Sequence, residues 1–223
     1  MSQAPPRSAL LTAPPPAAPL LPTDPPSGPP ADPVGGSGSG DSGSRDSGSV
    51  TARPDPAVSP APTPAELLDF VRRTAADRAL IASLPLVAGE RTWVRLDGPG
   101  GSEAWLIGWP PGTGTGWHDH AESHGAFATA HGELTERSLA VRLPAGGWRA
   151  LELHEGVDRE RRLATGQGRA FGTHHVHEVL NESATEHAVS VHAYHPPLPL
   201  IRRFGRTGAV LRLEQVEHPE DWQ

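Results

Sequence analysis

The sequence predicts a mainly β domain, a small jelly-roll β-barrel with one N-terminal helix packed on it, preceded by a disordered tail. Two observations predict the domain. From about residue 92 onward the chain breaks into short runs, several alternating apolar and polar, separated by Gly, Pro, Asp and Asn. Just before them, one stretch near residue 64 has helical spacing instead. A third observation predicts the tail: residues 1–62 contain no aromatic side chain and consist largely of Pro, Ala, Gly and Ser. Such a stretch buries too little apolar surface to offset the entropy of ordering it. The domain is therefore expected over residues 63–223, a length that suits one compact unit.

The helix is expected to start at Thr63. Thr63 can cap, Pro64 suits the first helical position, and Glu66 completes a capping box. Leu67, Phe70, Val71 and Ala75 then share one face, and a single amphipathic helix is expected to reach about Ala82 before Pro85. The strand candidates follow as RTWVRL, EAWLIGW, GAFATAHGELTERSLAVRL, WRALELHE, GQGRAFG, HEVLN and HAVSVHAY.

Composition removes several classes of chemistry. With no cysteine among 223 residues, disulfides, thiolate metal sites and cysteine nucleophiles are excluded. All 19 basic residues are arginine, which rules out lysine Schiff bases. A net charge of −7 speaks against a general nucleic-acid or membrane surface. Prolines interrupt any would-be signal core in MSQAPPRSALLTAPPPAAPLL, so a cytoplasmic protein is expected.

All 12 histidines lie at position 118 or later, and the segment GWHDHAESHG holds three of them. On a strand, His118 and His120 point to one face, where two imidazoles can share a metal ion. His124 fits a supporting or exposed role better. A third ligand must come from another strand, and GTHHVHEVLN offers His174, His175 and His177; alternation alone does not choose among them. Three imidazoles without a carboxylate or thiolate leave coordination positions open, as a catalytic ion needs. Iron, zinc, nickel and copper all accept that donor set.

The spacing around these residues resembles a known family. Gly112, His118-x-His120, Gly125 and Gly132 are similar to the first motif of the cupin superfamily, with glycine at 125 where cupins usually carry a glutamate ligand. Gly166 and His177-x-x-x-Asn181 partly match its second motif, and that match selects His177. HDHAESHG, Trp109 upstream of it, and Ser190-x-His192-x-Tyr194 before His195-Pro196-Pro197 resemble the cysteine dioxygenase family of bacterial thiol dioxygenases.

That resemblance implies Fe(2+) held by His118, His120 and His177, and oxidation of a thiol to a sulfinic acid with both atoms of O₂. Tyr194, His192 and Ser190 are implied as the catalytic set, with His192 accepting from the Tyr194 hydroxyl and Ser190 orienting His192. Arg95, in the Trp-x-Arg context the family carries before the metal strand, is expected to bind the substrate carboxylate beside Tyr194 and Trp109. The expected partners are L-cysteine and O₂, with no nucleic acid and no membrane, in a monomer. The alternatives are another small thiol such as 3-mercaptopropionate, a non-catalytic metal-binding cupin, or a zinc hydrolase.

Overall fold

The computed structural model describes residues 60–219 apart from 142, 145 and 146. The expected extension lies outside the described residues up to position 59. Its last residues do not: Pro62 is buried, and its carbonyl accepts from His124 Nε2 at 2.9 Å.

The capping box forms as expected: Glu66 N donates to Thr63 Oγ1 at 3.3 Å and Thr63 N donates to Glu66 Oε2 at 2.7 Å. The helix stops early, however. α1 spans Pro64–Ala75, and a separate α2 spans Arg78–Ser83. Asp77 divides them, since its carboxylate accepts from Ala79 N and Leu80 N and starts a second helix instead of continuing the first. Leu67, Val71 and Ala75 are buried on the packed face of α1.

Twelve strands follow among the described residues: β1 Thr92–Asp97, β2 Glu103–Trp109, β3 Trp117–Asp119, β4 His124–His131, β5 Glu133–Leu139, β6 Ala150–Glu152, β7 Asp158–Ala164, β8 Gly168–Phe171, β9 His177–Leu180, β10 Ala188–His195, β11 Ile201–Thr207 and β12 Val210–Glu217. They form two antiparallel sheets, five strands in the order β1-β2-β10-β4-β8 and seven in the order β6-β12-β11-β3-β9-β5-β7. The barrel is therefore a jelly-roll sandwich of two open sheets instead of one closed cylinder. The long run from Gly125 divides into β4 and β5 at Gly132, whose φ of +73° makes the turn.

Apart from its exposed edge strand β1, the five-stranded sheet is covered on both faces, with different residues on each. Its outer face carries Ala104, Leu106, Ala126, Ala128, Val189, Val191 and Ala193, small enough for α1 to lie close with Leu67 and Val71. Alternation puts Trp105, Ile107 and Trp109 of β2, and Ser190, His192 and Tyr194 of β10, on the inner face. That inner face looks onto the seven-stranded sheet, and the space between them is a cavity of about 420 Å³. No helix among the described residues is long and apolar enough to cross a membrane.

Candidate metal centre

β3 and β9 are neighbours in the seven-stranded sheet, and their register sets His118 directly opposite His177. His120, two residues after His118, follows on the same side just past the end of β3. The three imidazoles meet with ring centroids 4.7 Å apart for His118–His177, 4.8 Å for His118–His120 and 5.3 Å for His120–His177. One nitrogen from each lies within 4.8 Å of the other two. All three residues are buried yet line the cavity.

Hydrogen bonding prepares two of these rings as ligands. His118 Nδ1 donates to Gly116 O at 3.0 Å and His177 Nδ1 donates to Glu136 Oε1 at 3.0 Å. Each bond puts the ring hydrogen on Nδ1 and leaves the Nε2 lone pair for another partner. His177 Nε2 is buried and has no hydrogen-bond partner among the described residues, nor has His120 Nδ1. Orphaned buried nitrogens are costly unless something binds them. Burial, reinforced by the neighbouring imidazoles, holds His118 and His120 well below the usual histidine range, so both are neutral, the form that binds metal. The donor set fits a divalent transition metal.

Glu136 carries no signal in the sequence, where it sits in TERSL as an ordinary strand residue. It is nevertheless fully buried on β5 and anchors the centre. Its Oε1 accepts from both His177 Nδ1 and His175 Nε2, at 3.0 and 3.2 Å, and its Oε2 accepts from Arg169 Nη1 at 2.6 Å. Burial pushes this carboxyl up, but the two histidine bonds and the Arg169 charge outweigh it and hold the group ionised below the usual carboxylate range. Glu136, His175 and His177 are also close enough to form a metal-binding group. Glu136 Oε1 is already held by both imidazoles, which leaves the His118–His120–His177 set, with its orphaned His177 Nε2, as the open one. His175 therefore supports the centre, while His174 bonds Arg202 and Glu122 beside it.

Across the cavity, β10 supplies Ser190, His192 and Tyr194 on one face. Trp109 Nε1 donates to Ser190 Oγ at 2.8 Å. Ser190 Oγ lies 2.8 Å from His192 Nε2, and His192 Nδ1 lies 3.2 Å from Tyr194 Oη. Tyr194 reaches the metal-ligand wall, its ring centroid 4.6 Å from that of His120. Burial, then the Glu103 charge, push its phenol up, so it stays protonated. Trp109 forms part of the cavity wall with its ring, while its one polar side-chain atom is committed to Ser190.

Gly125 lies opposite Tyr194 in the β4–β10 register. A Cβ there would stand 2.7 Å from the Phe171 ring and 2.8 Å from Ala193 O. Phe171 occupies the space that a side chain at 125 would need, stacking on His120 at 5.5 Å. A fourth protein ligand from this position is sterically closed.

Arg95 is the sequence-chosen residue that the fold does not bring to the site. Its side chain is 66% exposed, pairs with Glu103 at 3.4 Å and lies outside the cavity lining. It shares a face with Trp93 on β1, the edge strand, and its guanidinium lies over the ring of Trp105, a cavity-lining residue, at 5.8 Å. Arg91 and Arg203 line the cavity instead. Arg203 is committed to Glu217 through two 2.9 Å bonds. Arg91 lies over the Trp109 ring at 5.4 Å and makes no ion pair among the described residues. Arg91 is itself an exposed residue; partial desolvation, then the nearby Arg203 charge, hold its guanidinium below its usual value against the pull of Glu217. β1 and β2 pair in unbroken register across the DGPGGS turn, which sets Arg95 opposite Trp105.

The cysteine dioxygenase type I family profile matches residues 50–207. Cysteine dioxygenase type 1 of Bos taurus is 31% identical over 106 residues, covering 46% of this chain and 50% of that protein. The Homo sapiens protein of the same name is 32% identical over 116 residues, covering 51% and 54%. The chain thus spans about half the length of the curated relatives it matches. Among solved structures, TT1209 from Thermus thermophilus superposes with a TM-score of 0.39 at 18% identity, over 51% of this chain and 90% of that one.

Proposed function

Because this chain belongs to the cysteine dioxygenase family, we propose that it oxidises L-cysteine to cysteine sulfinic acid with O₂ at a ferrous ion held by His118, His120 and His177. The reaction balances without an outside reductant, since both oxygen atoms end on the substrate sulfur. Ferrous iron, when bound, supplies the redox chemistry that lets a thiolate meet O₂.

The chain's own residues do the rest. Arg91 binds the substrate carboxylate, two parallel N–H groups matching its two oxygens. This role replaces the one first expected of Arg95. Tyr194 holds a proton at Oη beside the ligand wall and donates it to substrate or oxygen. Trp105, Trp109, Ile107, Val179 and Leu198 exclude water from the reacting atoms. With three histidines and no carboxylate or thiolate among its direct ligands, the centre is able to accept the charge of a thiolate.

The observation that carries the reading is the meeting of three buried imidazoles, one with an orphaned Nε2, opposite a protonated tyrosine. The cavity they share also holds Arg91, an arginine with no ion pair among the described residues. The test is oxygen uptake by the iron-loaded full-length chain with cysteine, 3-mercaptopropionate and cysteamine. Cysteine is expected to be consumed fastest. Arg91 serves the carboxylate of 3-mercaptopropionate equally, so that thiol is the nearest competitor. A preference for cysteamine, which has no carboxylate, removes the role given to Arg91, and no thiol-dependent uptake at all ends the proposal.

A further inference from the structure

The run of hydrogen bonds from Trp109 through Ser190 and His192 to Tyr194 has a direction, and the direction follows from what each atom is able to give. The same Ser190–His192–Tyr194 distances serve two opposite orders. In one, Tyr194 donates to His192 and His192 to Ser190, so the phenolic hydrogen is spent inside the protein. In the other, Ser190 donates to His192 and His192 to Tyr194, and the phenolic hydrogen is left for the cavity.

The indole nitrogen of Trp109 donates and does not accept. At 2.8 Å it occupies one side of Ser190 Oγ with a hydrogen. Were His192 Nε2 also protonated, two donors would face that oxygen, and the serine hydrogen would be left without an acceptor at a fully buried residue. Ser190 therefore gives its hydrogen to His192 Nε2, 2.8 Å away. His192 is buried and neutral: burial, then the nearby His177 and Arg91, hold it down to about 3. A neutral imidazole that accepts at Nε2 carries its hydrogen at Nδ1. That hydrogen goes to Tyr194 Oη at 3.2 Å.

We propose that Trp109 is the positioning residue that sets the polarity of this chain, forcing His192 into its Nδ1–H form and freeing the phenolic hydrogen of Tyr194 for a ligand in the cavity. The order is the reverse of the one expected from the sequence, in which His192 accepts from Tyr194. The use of the freed hydrogen rests on the thiol dioxygenase reading above; the polarity itself does not.

The test reads the tautomer of His192 by long-range ¹H–¹⁵N correlation on the full-length chain, metal-free and again with diamagnetic zinc, the signal being assigned by its absence in H192Q. In the parent protein His192 is expected to carry its hydrogen on Nδ1 alone; a hydrogen on Nε2 overturns the proposal. In W109F, which keeps a ring and removes only the donor, both tautomers become comparable, and the Nε2–H form should rise to roughly a tenth of the population or more. An unchanged Nδ1–H signal in W109F overturns the role of Trp109. If W109F does not fold, S190A serves, since it cuts the same link: a mixed tautomer is expected, and a pure Nδ1–H form overturns the proposal. A correct tautomer in a protein that consumes no oxygen with thiols leaves the polarity standing and removes only its catalytic use. With both in place, W109F should retain metal and KM and lose roughly tenfold in kcat.

Discussion

The two walls of the cavity solve the same problem, holding polar groups in a dry space, by different means. The seven-stranded wall uses charge. Behind its imidazoles stands the Glu136 carboxylate of β5, which grips His177 directly and pairs with Arg169 reaching across from β8 of the other sheet. The five-stranded wall uses none of this among its reacting groups. Trp109, Ser190, His192 and Tyr194 are all neutral, and each satisfies the next. A wall that must hold a cation gains from buried negative charge close behind its ligands. A wall that must offer one hydrogen gains from neutral groups whose donors and acceptors leave only that hydrogen over.

The contrast is broken most severely at the ligands. H118A, H120A or H177A should each abolish retention of iron after dialysis, measured by metal analysis, while Y194F retains it. Y194F should instead lower kcat by about a hundredfold or more, the scale of a lost proton donor. Equal loss of metal in Y194F would erase the distinction between the walls. Next in size, E136Q keeps a hydrogen-bond acceptor near His177 but removes its charge. Metal affinity should fall by about 10- to 100-fold in a chelator competition, with the His192 tautomer unchanged.

R91A should raise the KM for cysteine about tenfold, the order expected of a charged hydrogen bond, with little change in iron content. R95A should stay within about twofold of the parent, as its guanidinium stands mostly in solvent, which screens its pairing with the buried Glu103, and lies outside the cavity lining. The reverse ranking would return the carboxylate to Arg95. The smallest effect is on the metal-free protein and pH. His118 and His120 are held below the unfolded value of 6.5, so the unfolded chain binds more protons. Their neutrality costs nothing above that value, and stability should fall as the pH drops through 6.5. Thermal melts at pH 7.5 and 5.5 should show the lower midpoint at 5.5.

Much of the site is legible in the sequence because it is local. His118-x-His120 and Ser190-x-His192-x-Tyr194 share faces by strand alternation, which two-residue spacing reveals without any tertiary knowledge. The capping box at Thr63 is local in the same sense. β7, by contrast, escapes a reading of the sequence because its exposed run DRERRLA has no alternating apolar side. β11 and β12 escape it as well.

By itself the sequence determined the mainly β class, the absence of thiol and lysine chemistry, and which histidines could share a face. These depend on composition and on the fixed periodicity of a strand. Only the tertiary structure decided that Glu136 stands behind His177, that Phe171 fills the space beside Gly125, and that Arg91 instead of Arg95 lines the cavity. Each of those depends on which strands become neighbours and on where a sheet ends. Register between segments far apart in the chain is set by packing, not by any spacing along it.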